Sequence, residues 1–387
     1  MPMVVAVVLV AGCGSGDERS AGPASRSSAQ PNAVRADDTR PPGSGTVPGS
    51  VPGSRPPGTG RVGGAAQTLL VSVTYQITHT AKEAETFSNE GYLLQCDPGN
   101  ADCGKDPSAS LWSGTDSVAL PDNLGPYVTS IVDVDELYVG TSTNQILSCG
   151  TQSSPAKCQT VDSFGAGVSS LTAIGDLLYA GLTNGDLESC PIGGANNCTK
   201  VDSLGDGVSA LTSDGSAYVY AGTTGGALLQ CAVSGSNNCS TLATGLGSVN
   251  SVAVAGGYVF TATQNGHLYS YDLATSTNAT LVNSNPESQF KQLLTVGGNV
   301  YSASNSGYLS EWTPGSAQST QLTGPTTECD NFTAMATDGQ GNFYLMAGLT
   351  NNVCLFPLGG TLSVVTSFAS CSAVSPCTTM SEAIAVL

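Results

Sequence analysis

The chain has 387 residues, a net charge of −18 and 10% charged residues, and its basic residues are unevenly distributed. All six arginines lie between Arg19 and Arg61, whereas residues 67–387 contain five lysines and 25 acidic residues. A segment with this charge repels phosphate backbones and lacks the guanidinium group that binds phosphate in a bidentate way. Nucleic-acid binding is therefore excluded.

The chain starts with an apolar run, Val4–Val10, that is too short to span a bilayer. The run leads into Val10-Ala11-Gly12-Cys13, which resembles the lipobox of bacterial lipoproteins. This resemblance implies that residues 1–13 form a lipoprotein signal peptide and that Cys13 carries the lipid. It also implies a bacterial cell-envelope location, on the extracytoplasmic side of the outer membrane or at the cell surface.

Residues 14–66 form the next segment, which is rich in Gly, Pro and Ser. Such a composition cannot bury enough apolar surface to offset the entropy of ordering the chain. We therefore expect a disordered tether between the lipid anchor and a folded domain at residues 67–387.

An internal repeat organises the folded domain. Each unit contains four short runs of Val, Leu, Ile, Tyr and Thr, separated by Gly, Asn, Asp or Ser, which is typical of strands and turns. An aromatic residue marks the second run of each unit at Tyr138, Tyr179, Tyr220, Phe260, Tyr301 and Tyr344. The spacing of 40 to 43 residues is that of a four-stranded blade of a β-propeller.

The first run of the unit, which forms the inner strand of a blade, occurs seven times and predicts seven blades. These runs start at residues 128, 168, 208, 249, 290, 332 and 381. The last inner run ends the chain, while residues 69–76 read as a second strand without an inner partner. We therefore predict an all-β fold: a seven-bladed propeller of antiparallel four-stranded blades, closed by the C-terminal strand joining the N-terminal blade.

Leu-Tyr-(Val/Ala)-Gly strands followed by Asn-Gly turns make the domain similar to secreted bacterial propellers with WD40-like, quinoprotein-like or YVTN-like repeats. The repeated Gly-His and Trp-Asp pairs of true WD40 arrays are absent, and the chain has only two tryptophans. The architecture also resembles that of the propeller lipoprotein of outer-membrane protein assembly.

Twelve cysteines remain besides Cys13, an even number that indicates a disulfide framework in an exported protein. Most flank predicted hairpin turns between the third and fourth strands. Their spacings of six to nine residues, with only two histidines in the chain, do not fit zinc, and no metal site is expected. The expected pairs are Cys96–Cys103, Cys149–Cys158, Cys190–Cys198, Cys231–Cys239, Cys329–Cys354 and Cys371–Cys377.

Polar residues at the turns between the second and third strands lie on one face of a propeller and are candidates to contact a ligand. The candidates are Asn144, Asn184, Asn265, His267, Asn305 and Asn351. Their amides could bind hydroxyl groups of a neutral glycan. The alternative is that Asn-Gly and Thr-Gly pairs occur here because tight hairpin turns need them.

The sequence favours a non-enzymatic, monomeric propeller that binds an envelope protein or polysaccharide, reaches the membrane through its N-terminal lipid, and needs no cofactor. No catalytic residue can be named, because only His79 and His267 could act as a neutral base. The alternative is a propeller enzyme, such as a polysaccharide lyase or lactonase-like hydrolase, with a site in the central channel.

Overall fold

The structure is a computed structural model that describes several stretches of residues 69–386. These are residues 69–81, 84–96, 117–118, 128–134, 136–149, 158–275, 278–285, 289–350, 352–367 and 378–386. The predicted signal peptide with Cys13, the predicted tether, Cys103, Asn351, Cys371 and Cys377 all lie outside the described residues. Within the described residues, no helix is long and apolar enough to cross a membrane.

The described residues form strands joined by turns. In chain order the strands are β1 (Leu69–Ala81), β2 (Ala84–Cys96), β3 (Ser117–Val118), β4 (Val128–Val134), β5 (Glu136–Thr141), β6 (Gln145–Cys149), β7 (Cys158–Ser163), β8 (Val168–Ile174), β9 (Leu177–Leu182), β10 (Asp186–Pro191), β11 (Thr199–Ser203), β12 (Val208–Ser213), β13 (Tyr218–Thr223), β14 (Leu228–Ala232), β15 (Cys239–Ala243), β16 (Val249–Ala255), β17 (Tyr258–Thr263), β18 (His267–Asp272), β19 (Thr280–Ser284), β20 (Phe290–Val296), β21 (Asn299–Ser304), β22 (Leu309–Trp312), β23 (Ser319–Thr323), β24 (Phe332–Thr337), β25 (Asn342–Ala347), β26 (Asn352–Pro357), β27 (Ser363–Ser367) and β28 (Thr378–Val386).

The strands form antiparallel four-stranded sheets, as a propeller requires. Among the described residues, six sheets are regular blades of consecutive strands: blade 1 (β4–β7), blade 2 (β8–β11), blade 3 (β12–β15), blade 4 (β16–β19), blade 5 (β20–β23) and blade 6 (β24–β27). In each blade the inner strand comes first and the outer strand last.

The structure thus has six regular blades in its described part, where the sequence predicts seven. The other sheet, in the order β28-β1-β2-β3, departs from the blade pattern. Its strands β1 and β2 have 13 residues each and its outer strand β3 has two. β28 pairs with β1 in antiparallel fashion, as the complementary chain ends predict, and contacts β24 and β4 of blades 6 and 1.

The core lies between neighbouring blades, because each blade buries both of its faces. The six aromatic residues that mark the repeat lie on the second strand of each blade and are at most 3% exposed. In blades 2 and 3 the next blade approaches closely at the glycine that follows the aromatic residue by two positions. A Cβ on Gly222 of blade 3 would lie 2.3 Å from Cγ1 of Val249 in blade 4, and one on Gly181 would lie 2.4 Å from Cγ1 of Val208.

Four disulfides join described residues: Cys149–Cys158, Cys190–Cys198, Cys231–Cys239 and Cys329–Cys354. They are four of the six pairs expected from the sequence. The first three each close the hairpin between the third and fourth strands of blades 1 to 3. The fourth joins the connection before β24 to β26, so that it bridges the entry to blade 6 and its third strand.

Each hairpin that carries a disulfide in blades 2 and 3 is also held against the blade before it. In blade 2 the Cys198 amide donates to Asp162 of blade 1 at 3.0 Å, and the Gly193 amide donates to the Tyr138 hydroxyl at 2.9 Å. In blade 3 the Cys239 amide donates to Asp202 of blade 2 at 3.1 Å. Asp162 and Asp202 therefore join one blade to the next.

A methyl group at the contact between blades 3 and 4 is expected to destabilise the fold. Gly222→Ala should lower the free energy of unfolding by about 1–3 kcal/mol, because the Cβ overlaps Val249 and the inner strand must shift. Gly165→Ala is the control, since a Cβ there meets nothing within 4 Å. Urea unfolding under oxidising conditions measures both; equal stabilities would contradict the tight contact.

The disulfides should stabilise according to the length of chain that they close. Cys190 and Cys198 are 8 residues apart in the sequence. Replacing both by alanine should lower the free energy of unfolding by about 2–3 kcal/mol. The same change at Cys329 and Cys354, with separation 25, should cost about 1 kcal/mol more. Chemical unfolding of the two double variants tests this order, and a larger loss for the shorter loop would refute it.

Candidate functional site

The turns between second and third strands pack against the connections between blades, as expected for one face of a propeller. In blade 2 the Leu204 amide, at the end of the blade, donates to the Gly185 carbonyl at 2.8 Å. The Thr183 amide donates to the Gly167 carbonyl of the preceding connection at 2.9 Å. The candidate turn residues of the described blades therefore lie at equivalent places around the ring and are not gathered into one cluster.

Several of these asparagines form local turn contacts. Asn144 has a φ of 73°, a left-handed conformation that asparagine tolerates in tight turns. The Asn184 side chain accepts from the Asp186 amide at 3.1 Å and donates to the Asp186 carboxylate at 3.1 Å. Asn265 accepts a hydrogen bond from Thr263. The contact of these residues with a ligand stays a prediction.

Two candidates depart from this local role. The Oδ1 atom of Asn305 is buried and has no hydrogen-bond partner among the described residues. His267 is near Tyr269, with 3.1 Å between its Nδ1 and the tyrosine hydroxyl and the rings in a T-shaped arrangement at 5.9 Å between centroids. The structure therefore pairs His267 with a tyrosine that the sequence reasoning did not single out.

His267 and Tyr269 belong to a column of side chains on the third strand of blade 4 that faces blade 3. Alternation along a strand adds Tyr271 to the same face. The strand register places Tyr271 where blades 1 to 3 have Cys149, Cys190 and Cys231. By the same register, Trp312 of blade 5 and Phe356 of blade 6 occupy this position. An aromatic side chain thus fills the position wherever the hairpin disulfide is missing in these blades.

A cavity of about 250 Å³, here called the interblade cleft, opens between blades 4 and 5. Its lining combines aromatic rings with neutral polar groups. The lining residues are Asn283, Asn285, Phe290, Ser302, Ser304, Tyr308, Ser310, Trp312, Ser319 and Gln321. Within this lining no side chain carries a formal charge at neutral pH.

The cleft lies at a row of side chains whose middle position, on the third strand, holds the small Ser310 in blade 5 and Leu, Glu, Tyr or Cys in the other regular blades. The row crosses the second, third and fourth strands and reads Ser302, Ser310 and Gln321 in blade 5. The corresponding rows are Val139, Leu147, Thr160 in blade 1; Ala180, Glu188, Lys200 in blade 2; Ala221, Leu229, Thr241 in blade 3; Thr261, Tyr269, Leu281 in blade 4; and Leu345, Cys354, Val364 in blade 6.

The aromatic wall of the cleft is fixed by its own contacts. Trp312 is 1% exposed, its indole Nε1 donates to the Ser302 hydroxyl at 2.8 Å, and its ring meets Phe290 edge-on at 6.1 Å between centroids. Tyr308, at the mouth of the cleft, is 37% exposed and contacts the turn through the hydrogen bond from its amide to Ser304 at 3.2 Å. The cleft therefore has a rigid aromatic base and an accessible aromatic rim.

In blade 2, two of the positions equivalent to the cleft row carry charged side chains. There Lys200 pairs with Asp186 at 2.6 Å, and its hydrogen bond to the carboxylate lowers the pKa of Asp186. Burial raises the pKa of Glu188 in the same row, and the neighbouring Asp186 adds to this effect. Equivalent positions on the repeat thus carry a charged group in one blade and a neutral polar surface in another.

The opposite face of blade 5 also has a polar group, because side chains alternate along each strand. The Tyr301 hydroxyl donates to Glu311 at 3.0 Å, and its ring lies 4.5 Å from Phe343 of blade 6. Burial, together with the carboxylate of Glu311, raises the pKa of Tyr301 to about 12. This phenol is therefore protonated at neutral pH and acts as a structural donor.

Metal-ligand clusters do not occur in the described part of the chain, where no group of three or more His, Cys, Asp or Glu side chains could hold an ion. Asp133, an acidic residue of the inner strand β4, is half-buried. His267 has Tyr269 as its ring contact.

The paired strands β1 and β2 form the longest hairpin of the described residues. They pair from Leu69 with Cys96 to Ala81 with Ala84. β28 pairs with the edge of β1 that faces away from β2, and only as far as Gln76. On the other side of the hairpin, β3 pairs with β2 only at Leu93 and Leu94. Residues 77–81 and 84–88, here called the ribbon, thus extend past β28 as two strands.

Sequence reasoning missed the interblade cleft, although one signal was present. Aligning the third strands of the repeat places Ser310 where the other described blades have Leu, Glu, Tyr or Cys, and places Tyr308 at the position of His267. Reading the repeats as a table of equivalent positions could have identified this exception.

A comparison with a known structure supports the fold. A crystal structure of the mitotic checkpoint complex contains a chain that is 17% identical, with a TM-score of 0.52, covering 69% of this chain and 84% of that one. The crystal structure of the computationally designed Ika8 protein is 15% identical, with a TM-score of 0.49, covering 75% of this chain and 86% of that one. No curated protein is similar enough to this chain to count as a match.

The family comparison goes further than the fold. A model of the family described as outer membrane protein assembly factor BamB matches residues 109–281 and 194–321. Together these matches run from the segment before blade 1 to β23 and span more than half of the chain. With this coverage, and with the antiparallel four-stranded blades that the structure contains, the chain belongs to the family of the outer membrane protein assembly factor BamB.

Proposed function

We propose that the protein is a non-enzymatic binding module of the bacterial cell envelope, held on the extracytoplasmic side by a lipid on Cys13. Its family and its disulfides support this location, because disulfides persist in oxidising compartments outside the cytoplasm. Residues 14–66 would serve as a flexible tether that allows the propeller to reach partners away from the membrane.

The proposal includes a seventh blade, formed by the sheet β28-β1-β2-β3. Two observations support it: β28 contacts the inner strands of blades 6 and 1, and it pairs with β1 as an inner strand pairs with a second strand. Pairing the two ends of the chain in one sheet would close the ring and remove exposed inner edges.

The ribbon is the observation that carries the binding role. The two strands of the ribbon pair with each other. Within the ribbon, no described strand pairs with the free edge of either strand. A strand edge offers a row of backbone donors and acceptors that an extended segment of another protein can extend. We therefore expect an envelope protein to add a strand to the ribbon, while the blades serve as a rigid support.

Shortening the ribbon should abolish partner binding without unfolding the propeller. Gln76 and Asn89 are register partners, so replacing residues 77–88 by Asn-Gly leaves a two-residue hairpin turn in their place. In pull-downs from bacterial envelope extracts, the full chain should retain a protein that the shortened variant loses. Unchanged strand content and unfolding midpoint would show that the variant keeps its fold.

Site-specific crosslinking provides the matched control. A photoreactive residue at Thr78 of the ribbon should crosslink to the retained protein, whereas one at Ser240, an exposed position on β15, should not. Equal crosslinking from both positions, or retention by the shortened variant, would contradict the ribbon as the binding element. Turnover of a polysaccharide by the purified chain would contradict the non-enzymatic role.

A further inference from the structure

We propose that the interblade cleft between blades 4 and 5 is a second binding site, and that its ligand is a neutral saccharide. This site is separate from the ribbon, so the inference goes beyond the proposed function. The volume of the cleft, about 250 Å³, is slightly below the ~300–1,000 Å³ of pockets that enclose drug-sized molecules. It is therefore suited to about one sugar ring of a longer chain.

The polar groups of the cleft suit hydroxyl groups. The amides of Asn283, Asn285 and Gln321 each offer a donor and an acceptor, and serine hydroxyls do the same. A sugar hydroxyl also donates and accepts, so neutral groups of both kinds can satisfy it without a charge. The side chains of Asn283, Ser310 and Gln321 line the cleft, so their polar groups lie within reach of a ligand there.

The aromatic residues supply the second element of saccharide recognition. A sugar ring has an apolar face of C–H groups between its hydroxyls, and burying that face against an aromatic ring removes apolar surface from water. Tyr308 at the rim is partly exposed, and Trp312 at the base is held by Ser302 and Phe290. A ligand in the cleft thus meets an accessible aromatic ring at the entrance, above a base in which Trp312 is buried and held in place.

The charge of the surroundings selects against anionic ligands. No lysine lines the cleft, and residues 67–387 as a whole carry 25 acidic residues against five lysines. The Lys291 amine, one residue from Phe290, donates to Gln289 at 3.0 Å. An acidic sugar would therefore enter a negative field without a cation to bind it, whereas a neutral sugar is indifferent to that field.

The cleft contains its own fluorescent reporter. The chain has two tryptophans, Trp112 and Trp312, so Trp112→Phe leaves a full-length protein whose indole emission comes from the cleft alone. Titration with the neutral disaccharides maltose, cellobiose and chitobiose should give a saturable change in emission for at least one of them. A digalacturonate titration should give none.

Two substitutions test the location in this background. Ser310→Leu introduces the side chain that blades 1 and 3 carry at this position, which should fill the cleft and abolish saturable binding. Tyr308→Ala, at an exposed position, should weaken binding about tenfold or more through loss of the stacking surface. Ser240→Leu, the same change on an exposed strand of blade 3, should leave the affinity unchanged.

Each other outcome would overturn the inference. If none of the neutral disaccharides gives a saturable response, the cleft does not bind a neutral saccharide. If digalacturonate gives an equal response, the preference for neutral sugars is contradicted. Undiminished affinity in both Ser310→Leu and Tyr308→Ala places the binding site elsewhere. Because partner capture by the ribbon is measured in a separate assay, failure here leaves the proposed function standing, and the reverse also holds.

Discussion

A hydrogen bond between adjacent inner strands holds the blades in register, and the rest of the structure depends on it. The inner strands of neighbouring blades share no ladder, so a side chain must satisfy the backbone between them. Ser130 accepts from the Leu171 amide at 2.8 Å, and Ser170 accepts from the Leu211 amide at 3.0 Å. Ser251 and Gln292 do the same for blades 5 and 6. Each bond is worth about 1 kcal/mol net, and a buried amide left without its acceptor would cost about 1–3 kcal/mol.

These bonds fix blades 1 to 3, and blades 4 to 6, relative to one another, so that equivalent positions of the repeat face equivalent surroundings. This is why a disulfide and an aromatic ring can exchange at one position. In blades 1 to 3 a cysteine there closes the outer hairpin; in blade 5, Trp312 stands opposite the small residue Ser319 and packs on the preceding blade. A covalent closure constrains the unfolded chain, whereas an aromatic ring buries apolar surface in the folded one, and both stabilise the blade edge.

The sequence was sufficient for features that the repeat dictates. Strand type, the buried aromatic of each second strand, the hairpin disulfides and the pairing of β28 with β1 follow from periodicity and spacing. It was insufficient where the chain departs from the repeat. The length of β1 and β2 was not evident, because a polar run with few turn residues resembles an insertion. The cleft is lined by side chains of two blades, such as Asn283 and Ser310, and a single repeat does not contain both.

Both candidate binding elements are departures from the repeat, and physical reasons favour this. A regular blade satisfies its backbone and fills both faces, which leaves little for a ligand to gain. The cleft row of blade 5 has Ser310 where blades 1 and 3 have leucine, and so loses part of the packing between two blades. In the ribbon, beyond the last pair of β1 and β28 at Gln76 and Thr378, no described strand pairs with the outer backbone groups. Each departure leaves groups that the repeat satisfies internally elsewhere, and these are the groups that the proposed partner and the proposed sugar would use. The regular blades and their disulfides compensate for the lost packing and keep both elements on a rigid support.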